Sequence, residues 1–275
     1  DFKGLRYITC PNQTVSDSKN HHPGIDNRGP FLAMNPFSSR CCQHNHAQGW
    51  PYYAEHLILA TPDNGVAAAM YAACKATVKV GDGNEISLHE QTNYPFEETI
   101  RFTVNTPKAV SFPFYLRIPS WTEGATIFVN GKKVAANPEA GQYACINREW
   151  KDNDQVEIQL PMQLSMRTWQ VNKNSVSVDY GPLTMSLKID EDYVKKDSRA
   201  TAIGDSKWQE GADASQWPTY EIYAKTPWNY ALVLGKNEPL KDFKVVHKEW
   251  PADNFPFTVA STPIAVSYTH LRAHE

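Results

Sequence analysis

Two hydrophobic periods divide the chain. Within residues 43–60, Trp50, Tyr53, Leu57 and Ala60 recur at helical spacing and Thr61-Pro62 supplies a stop. This predicts a helix, with Pro51 tolerated in its first turn. Beyond Pro62 the period falls from about 3.6 to 2. Ile100, Phe102 and Val104 recur at every second position, as do Val110, Phe112, Phe114, Leu116 and Ile118, then Val156, Ile158 and Leu160, then Val176, Val178 and Tyr180. Such alternation predicts half-buried strands. Asn130-Gly131, between Phe128-Val129 and residues 132–134, is a strong hairpin signal, because both residues tolerate the positive φ of a type I′ turn. Further strands are expected at residues 220–223, 230–234 and 257–260.

Short strands separated by turns at roughly ten-residue spacing indicate antiparallel β-sandwiches. The expected architecture is mainly β, with one sandwich over residues 62–165 and a second over 166–266, the boundary falling near residues 161–172. A polar stretch at residues 190–214 interrupts the pattern, and its charges at 190–196 read as a solvated loop. Residues 1–40 are dense in Pro, Asn, Ser and Gly, show no period, and read as a long ordered loop, which in a compact domain is usually functional.

Composition narrows the classes. The 275 residues are 41% apolar and 12% aromatic, enough to build real cores and too much for a disordered chain. Lys and Arg number 27 against 30 Asp and Glu, without a basic cluster, so no nucleic-acid partner is expected. Apolar runs are short, the longest lying at residues 65–73, so no membrane partner is expected either. The chain opens at Asp1 within what reads as a strand or turn, and an upstream portion is expected. Its last nine residues, Ser-Tyr-Thr-His-Leu-Arg-Ala-His-Glu, look like the read-through of a sequencing adapter and are expected to be a non-native tail.

Five cysteines, Cys10, Cys41, Cys42, Cys74 and Cys145, are odd in number and irregular in spacing, which argues against a disulfide framework. The adjacent pair Cys41-Cys42 carries the information. Consecutive Cα atoms lie about 3.8 Å apart, whereas disulfides prefer about 4.4–6.8 Å, so a disulfide between these neighbours would be strained. Metal ligation or reactive-thiol chemistry at a loop-to-helix junction is one reading, since a turning backbone can aim both sulfurs at one ion and a helix N-terminus favours the thiolate. Two small cysteines packed at a junction is the other. Zinc takes four ligands and suits thiolate sulfur; His44, His46, His21, His22 and Cys10 are near in sequence, and their spacing matches no closed structural site we can identify.

These residues also carry a resemblance. Leu5-Arg6-Tyr7, Ser16-Asp17-Ser18-Lys19-Asn20-His21-His22-Pro23-Gly24, Met34-Asn35-Pro36, Arg40-Cys41-Cys42-Gln43-His44-Asn45 and Gly49-Trp50-Pro51-Tyr52-Tyr53-Ala54-Glu55 resemble the β-L-arabinofuranosidase-type enzymes of glycoside hydrolase family 127. The likeness continues through Val80-Gly81-Asp82-Gly83, Tyr94-Pro95-Phe96-Glu97, Leu116-Arg117-Ile118-Pro119-Ser120-Trp121 and Asp179-Tyr180-Gly181-Pro182-Leu183, and covers about residues 1–266. It implies a retaining glycosidase whose nucleophile is a zinc-bound cysteine thiolate, acting on a β-linked arabinofuranosyl or related glycan. It further implies an (α/α)6 barrel followed by two β-sandwiches, so residues 1–61 would be the C-terminal end of the barrel, a loop plus one helix. Cys41 matches the nucleophile, which is also a zinc ligand; Cys42 matches a second ligand; Tyr7 matches a substrate-contacting tyrosine. The remaining ligands, a Glu and a Cys, and the acid/base carboxylate match positions upstream of Asp1, so the chain alone is expected to be inactive. Gln48 stands where the family often carries Arg.

Other candidates have two readings each. His21-His22 would line a sugar site or staple a loop, and His56 would be a ligand or a helix-face residue. Trp121, Trp150, Trp169, Trp208, Trp217, Trp228 and Trp250 would be stacking platforms for sugar rings or core anchors. The rival of the glycosidase is a non-catalytic carbohydrate-binding or structural β-sandwich protein. A structural zinc site closed by His44 or His46 is a third reading.

Overall fold

The computed structural model describes residues 15–17, 45–135, 138–199 and 208–273. A 3-10 turn at His46–Gln48 leads into helix α1 (Gly49–Glu55). Ten strands follow: β1 (Ile58–Ala60), β2 (Val66–Ala68), β3 (Cys74–Val80), β4 (Asn84–Thr92), β5 (Thr99–Asn105), β6 (Val110–Arg117), β7 (Thr126–Val129), β8 (Lys132–Lys133), β9 (Tyr143–Trp150) and β10 (Asp154–Gln159). They form two sheets, ordered β1-β2-β6-β9 and β3-β4-β5-β10-β7-β8. The inward side chains of both sheets meet in one core, where Phe102, Phe112, Phe114, Ile158 and Trp150 are fully buried. The alternation along β6 is regular, Val110, Phe112, Phe114 and Leu116 facing in and the residues between them outward or at the margin. Trp150 is an anchor of this core, its indole N–H donating to the Phe112 carbonyl at 3.0 Å.

Turn chemistry sets the registers. Asn130 (φ 50°) and Gly131 (φ 77°) join β7 to β8, and the Asn130 amide also ties the turn to β10, donating to Asp154 at 2.8 Å and accepting from the Gln155 N–H at 2.8 Å. Gly65 serves a different need: a Cβ there would lie 2.3 Å from the Pro113 carbonyl oxygen, so only glycine lets β2 approach β6. That pairing, Val66 opposite Phe114, is parallel, unlike the antiparallel pairing expected throughout. The chain reaches it by running through β3, β4 and β5 in the other sheet before returning.

From Met162 the core changes hands. Met162, Tyr180 and Ile264 form a smaller cluster, flanked by Leu164, Leu183, Met185 and Val245 and wedged against Phe96 and Trp121 of the first region. The strands are β11 (Leu164–Trp169), β12 (Ser175–Tyr180), β13 (Leu183–Met185), β14 (Glu191–Lys196), β15 (Thr219–Ala224), β16 (Tyr230–Leu232), β17 (Lys244–His247), β18 (Ile264–Ser267) and β19 (Leu271–Ala273). Among the described residues they make one three-stranded sheet, β11-β12-β13, and three two-stranded ones, β14-β15, β16-β19 and β17-β18.

Three expectations need correction. The helix expected over 43–60 ends at Glu55, because His56 leaves helical geometry (φ −104°, ψ 9°) and Leu57 and Ile58 turn inward, Ile58 pairing with Ala68. Sheet structure therefore begins at Ile58, before the expected residue 62. Residues 190–196 contain strand β14, solvated as expected but paired with β15. Residues 257–260 form no strand: the Thr258 and Ser261 hydroxyls accept each other's backbone N–H at 3.2 and 3.1 Å and close a turn, the usual way such side chains compete with a ladder. At the C-terminus, β19 pairs with β16, and the Tyr268 ring stacks on Phe243 with centroids 4.0 Å apart.

Candidate functional site

Tyr7, Cys41 and Cys42, together with Cys10, His21, His22 and His44, lie outside the described residues. Among the described residues no group of three or more His, Cys, Asp or Glu could hold a metal ion. The structure does show what flanks the cysteine-bearing stretch on either side.

On the N-terminal side, Ser16 forms an antiparallel bridge with Ile222 of β15, each backbone N–H donating to the other's carbonyl at 2.8 Å. Ser16 and Asp17 are buried there beside Glu221, whose carboxylate accepts from Lys196 and from the Tyr223 phenol, both at 2.9 Å. A segment read from sequence as loop thus adds to a hairpin about 200 positions further along the chain.

On the C-terminal side stands α1. No residue of it is buried, and Trp50 and Tyr52 are each 64% exposed. The helical stripe that predicted it faces inward only at Leu57, beyond the helix end. His56 caps the helix, exposed, with Nδ1 2.6 Å from the Tyr52 carbonyl. This favours the helix-face reading over a ligand.

Beside α1 lies a polar cluster absent from the sequence reading. Glu90 of β4 is only 1% exposed. Its carboxyl accepts from the Ala72 backbone N–H at 3.1 Å and from the Cys74 thiol at 3.7 Å. Burial pushes the Glu90 carboxyl up to about 8, and the same burial, with Glu90 adjacent, pushes the Cys74 thiol up to about 11. The Tyr71 phenol donates to the Arg117 carbonyl at 2.6 Å, and the Arg117 Nε–H donates to the Ala69 carbonyl at 2.6 Å. Tyr71, Tyr94 and Tyr53 are all raised above the ordinary phenol range, chiefly by burial, and Tyr53 on α1 also feels Tyr94 and Glu90. Chemically this favours the protonated forms of both groups: a thiol rather than a thiolate at the partly buried Cys74, beside the almost fully buried carboxyl of Glu90. The signal that could have found Glu90 is its phase, since it occupies the same inward register as Ile86 and Leu88.

Residues 65–162, which cover most of the two-sheet region, match the sequence profile of the middle domain of the GH127 β-L-arabinofuranosidases. This stretch of the chain is similar to a GH127 middle domain. No curated protein matches the chain. Among solved structures, one titled glycoside hydrolase is similar at 22% identity with a TM-score of 0.55, covering 80% of this chain and 42% of that one, and supports the fold. A GH127 β-L-arabinofuranosidase from Geobacillus stearothermophilus T6 is 20% identical with a TM-score of 0.49, covering 68% and 35%, and another GH127 β-arabinofuranosidase is 21% identical at 0.48, covering 62% and 33%. The chain spans less than half the length of each of these structures.

Within residues 65–162 the tryptophans divide. Trp150 is fully buried, and Trp121 is half-buried where the two cores touch. Beyond them, Trp169, Trp217 and Trp228 are exposed, with the Arg167 guanidinium 5.1 Å above the Trp169 ring. Trp250 donates to Asn254 at 2.7 Å. No helix of the described residues is long and apolar enough to cross a membrane.

Proposed function

We propose that this chain is part of a retaining glycosidase of the β-L-arabinofuranosidase type that uses a zinc-bound cysteine thiolate as its nucleophile. The observation that carries the reading is the similarity of residues 65–162 to the GH127 middle domain, directly after the Arg40-Cys41-Cys42-Gln43-His44-Asn45 run and α1. Cys41 would act as nucleophile and metal ligand, Cys42 as a second ligand and Tyr7 as a substrate contact, with a carbohydrate carrying a β-linked arabinofuranosyl unit as substrate. The donor chemistry fits, because two soft thiolates are half of a four-coordinate zinc site. The Cys74–Glu90 pair does not compete for this role, since its thiol is driven away from the ionised form a ligand needs.

Zinc, when bound, lowers the thiol pKa so that a thiolate exists at neutral pH. Cys41 and Cys42 would hold the metal, and the Cys41 sulfur would be the group that attacks the anomeric carbon as the C–O bond to the leaving group breaks, with a carboxylic acid protonating the departing oxygen; water, deprotonated by the resulting carboxylate, would then displace the sulfur and restore both groups. This is the two-step logic of retaining glycosidases with sulfur in place of the usual carboxylate nucleophile.

The test compares this chain with a version extended to the length of the GH127 structures, using a chromogenic β-L-arabinofuranoside and metal analysis. The extended protein is expected to hydrolyse the substrate and to lose both turnover and most of its zinc on Cys41→Ser, and residues 1–275 alone are expected to be inactive. Wild-type turnover in Cys41→Ser overturns the nucleophile assignment. Thiol-independent glycan binding without hydrolysis would favour a carbohydrate-binding role instead.

A further inference from the structure

Glu90 is an unusual occupant of a strand interior. It shares the inward phase of β4 with Ile86 and Leu88 and is as buried as they are. No cation among the described residues pairs with it; Arg117, the cation of the cluster, directs its Nε–H to the Ala69 carbonyl instead. The groups around it come from several elements: Cys74 from β3, Tyr71 and Ala72 from the 69–73 connection, Phe102 opposite it on β5, and Tyr53 from α1. Tyr94, Arg117 and, toward Tyr71, Tyr143 complete the titratable or charged neighbours. None of them offers a positive charge free to receive a carboxylate, so the site suits the protonated acid.

An ionised Glu90 must find water, and the two sides of its pocket differ in what opening costs. The sheet side is Ile86, Leu88 and Phe102, fully buried residues that part only when the core does. The α1 side is a helix without a buried residue, held through the Leu57 carbonyl by the Ala69 and Met70 N–H groups at 2.9 and 3.3 Å. Local opening follows the weaker side. We propose that Glu90 is a proton-dependent latch at the margin of the two-sheet region: as the neutral acid it lets α1 close against the 69–72 connection, and on losing its proton it releases α1. This inference stands independently of the glycosidase reading.

The sign follows from linkage. The folded state binds this proton more tightly than the unfolded chain does, its carboxyl sitting near 8 against an ordinary 4.5. The stabilisation is therefore complete below about pH 4.5 and is lost progressively as pH rises to about 8, beyond which no more is lost.

The experiment uses the 275-residue chain and its Glu90→Gln variant between pH 5 and pH 9. In the wild type, a carboxylic-acid C=O stretching band should persist at pH 7 and vanish above pH 8, while the urea midpoint falls and exchange protection of the Ala69 and Met70 amides, corrected for intrinsic rate, drops at least tenfold. In Glu90→Gln the band should be missing and both profiles flat. A wild type without the band at pH 7, or with it but with unchanging Ala69 and Met70 protection, overturns the latch, as does a variant whose profiles parallel the wild type. Should the variant fail to fold, the wild-type band and amide protection decide the matter by themselves.

Discussion

Residues 57–160 and residues 162–273 use the same alternating, aromatic-rich pattern, yet they are built on different terms. In the first region two sheets face each other, so every inward residue meets another sheet, and the largest fully buried side chains of the described residues, Trp150, Tyr71, Phe102, Phe112 and Phe114, all sit there. In the second, most strands pair in twos and the buried cluster is small, completed by Phe96 and Trp121 lent from the first. β14 shows the contrast in miniature: it pairs along its whole length with β15, and its first five residues stay exposed. Period 2 announces a strand. What the strand buries depends on whether a second layer lies opposite.

The sharpest way to break this comparison is truncation of matched aromatics. Phe114→Ala empties a fully buried site and should cost about 3–5 kcal/mol, whereas Phe257→Ala, at a position 68% exposed, should change stability by less than about 0.5 kcal/mol. Urea denaturation followed by tryptophan fluorescence measures both, and similar losses would mean that the two regions are equally packed.

Next comes the dependence of the second region on the first. Trp121→Ala removes a ring that touches both cores and should cost about 2–3 kcal/mol. Exchange protection at Tyr180 and Ile264 should fall together with it; if those amides keep their protection, the distal cluster does not lean on Trp121.

A smaller loss than that of Trp121→Ala is expected at the strand added from the N-terminal side. Ser16→Pro deletes the N–H that donates to the Ile222 carbonyl and should cost about 1–2 kcal/mol. Protease cleavage near residue 16 should accelerate while the two-sheet region stays intact. An unchanged cleavage rate would show that the bridge holds nothing.

Much of the two-sheet region was legible, because its signals are local. The alternation of β6 lies in consecutive residues, and Asn130-Gly131 carries its turn in two adjacent side chains. The three-residue strands β1, β2 and β19 were not, since three residues are too few to show a period and β2 and β19 take partners far along the chain, whereas β16 falls within the strand expected at 230–234. The helix over-ran for a related reason: Leu57 and Ala60 keep helical spacing from Trp50 and Tyr53, but Leu57 is buried beyond the helix end and Ala60 is an exposed strand residue opposite Val66. As for the site, Cys41, Cys42 and Tyr7 were named by motif and fall outside the described residues, so their roles rest on family likeness. Glu90 was not legible because the sequence reading assigned no strand to residues 84–92, and a Glu shows an inward phase only once Ile86 and Leu88 are known to face the core.

The bridge between Ser16 and Ile222 bears on the order of events during synthesis. The two residues are separated by about 200 positions, and at roughly 5–20 residues per second a ribosome needs about 10–40 s to make the intervening chain. Throughout that interval the two-sheet region, whose strands end at Gln159, can already have closed, while the stretch around Ser16 still lacks its partner. The bridge at Ser16 would then be among the last contacts of the molecule to form, after the core of the two-sheet region has closed.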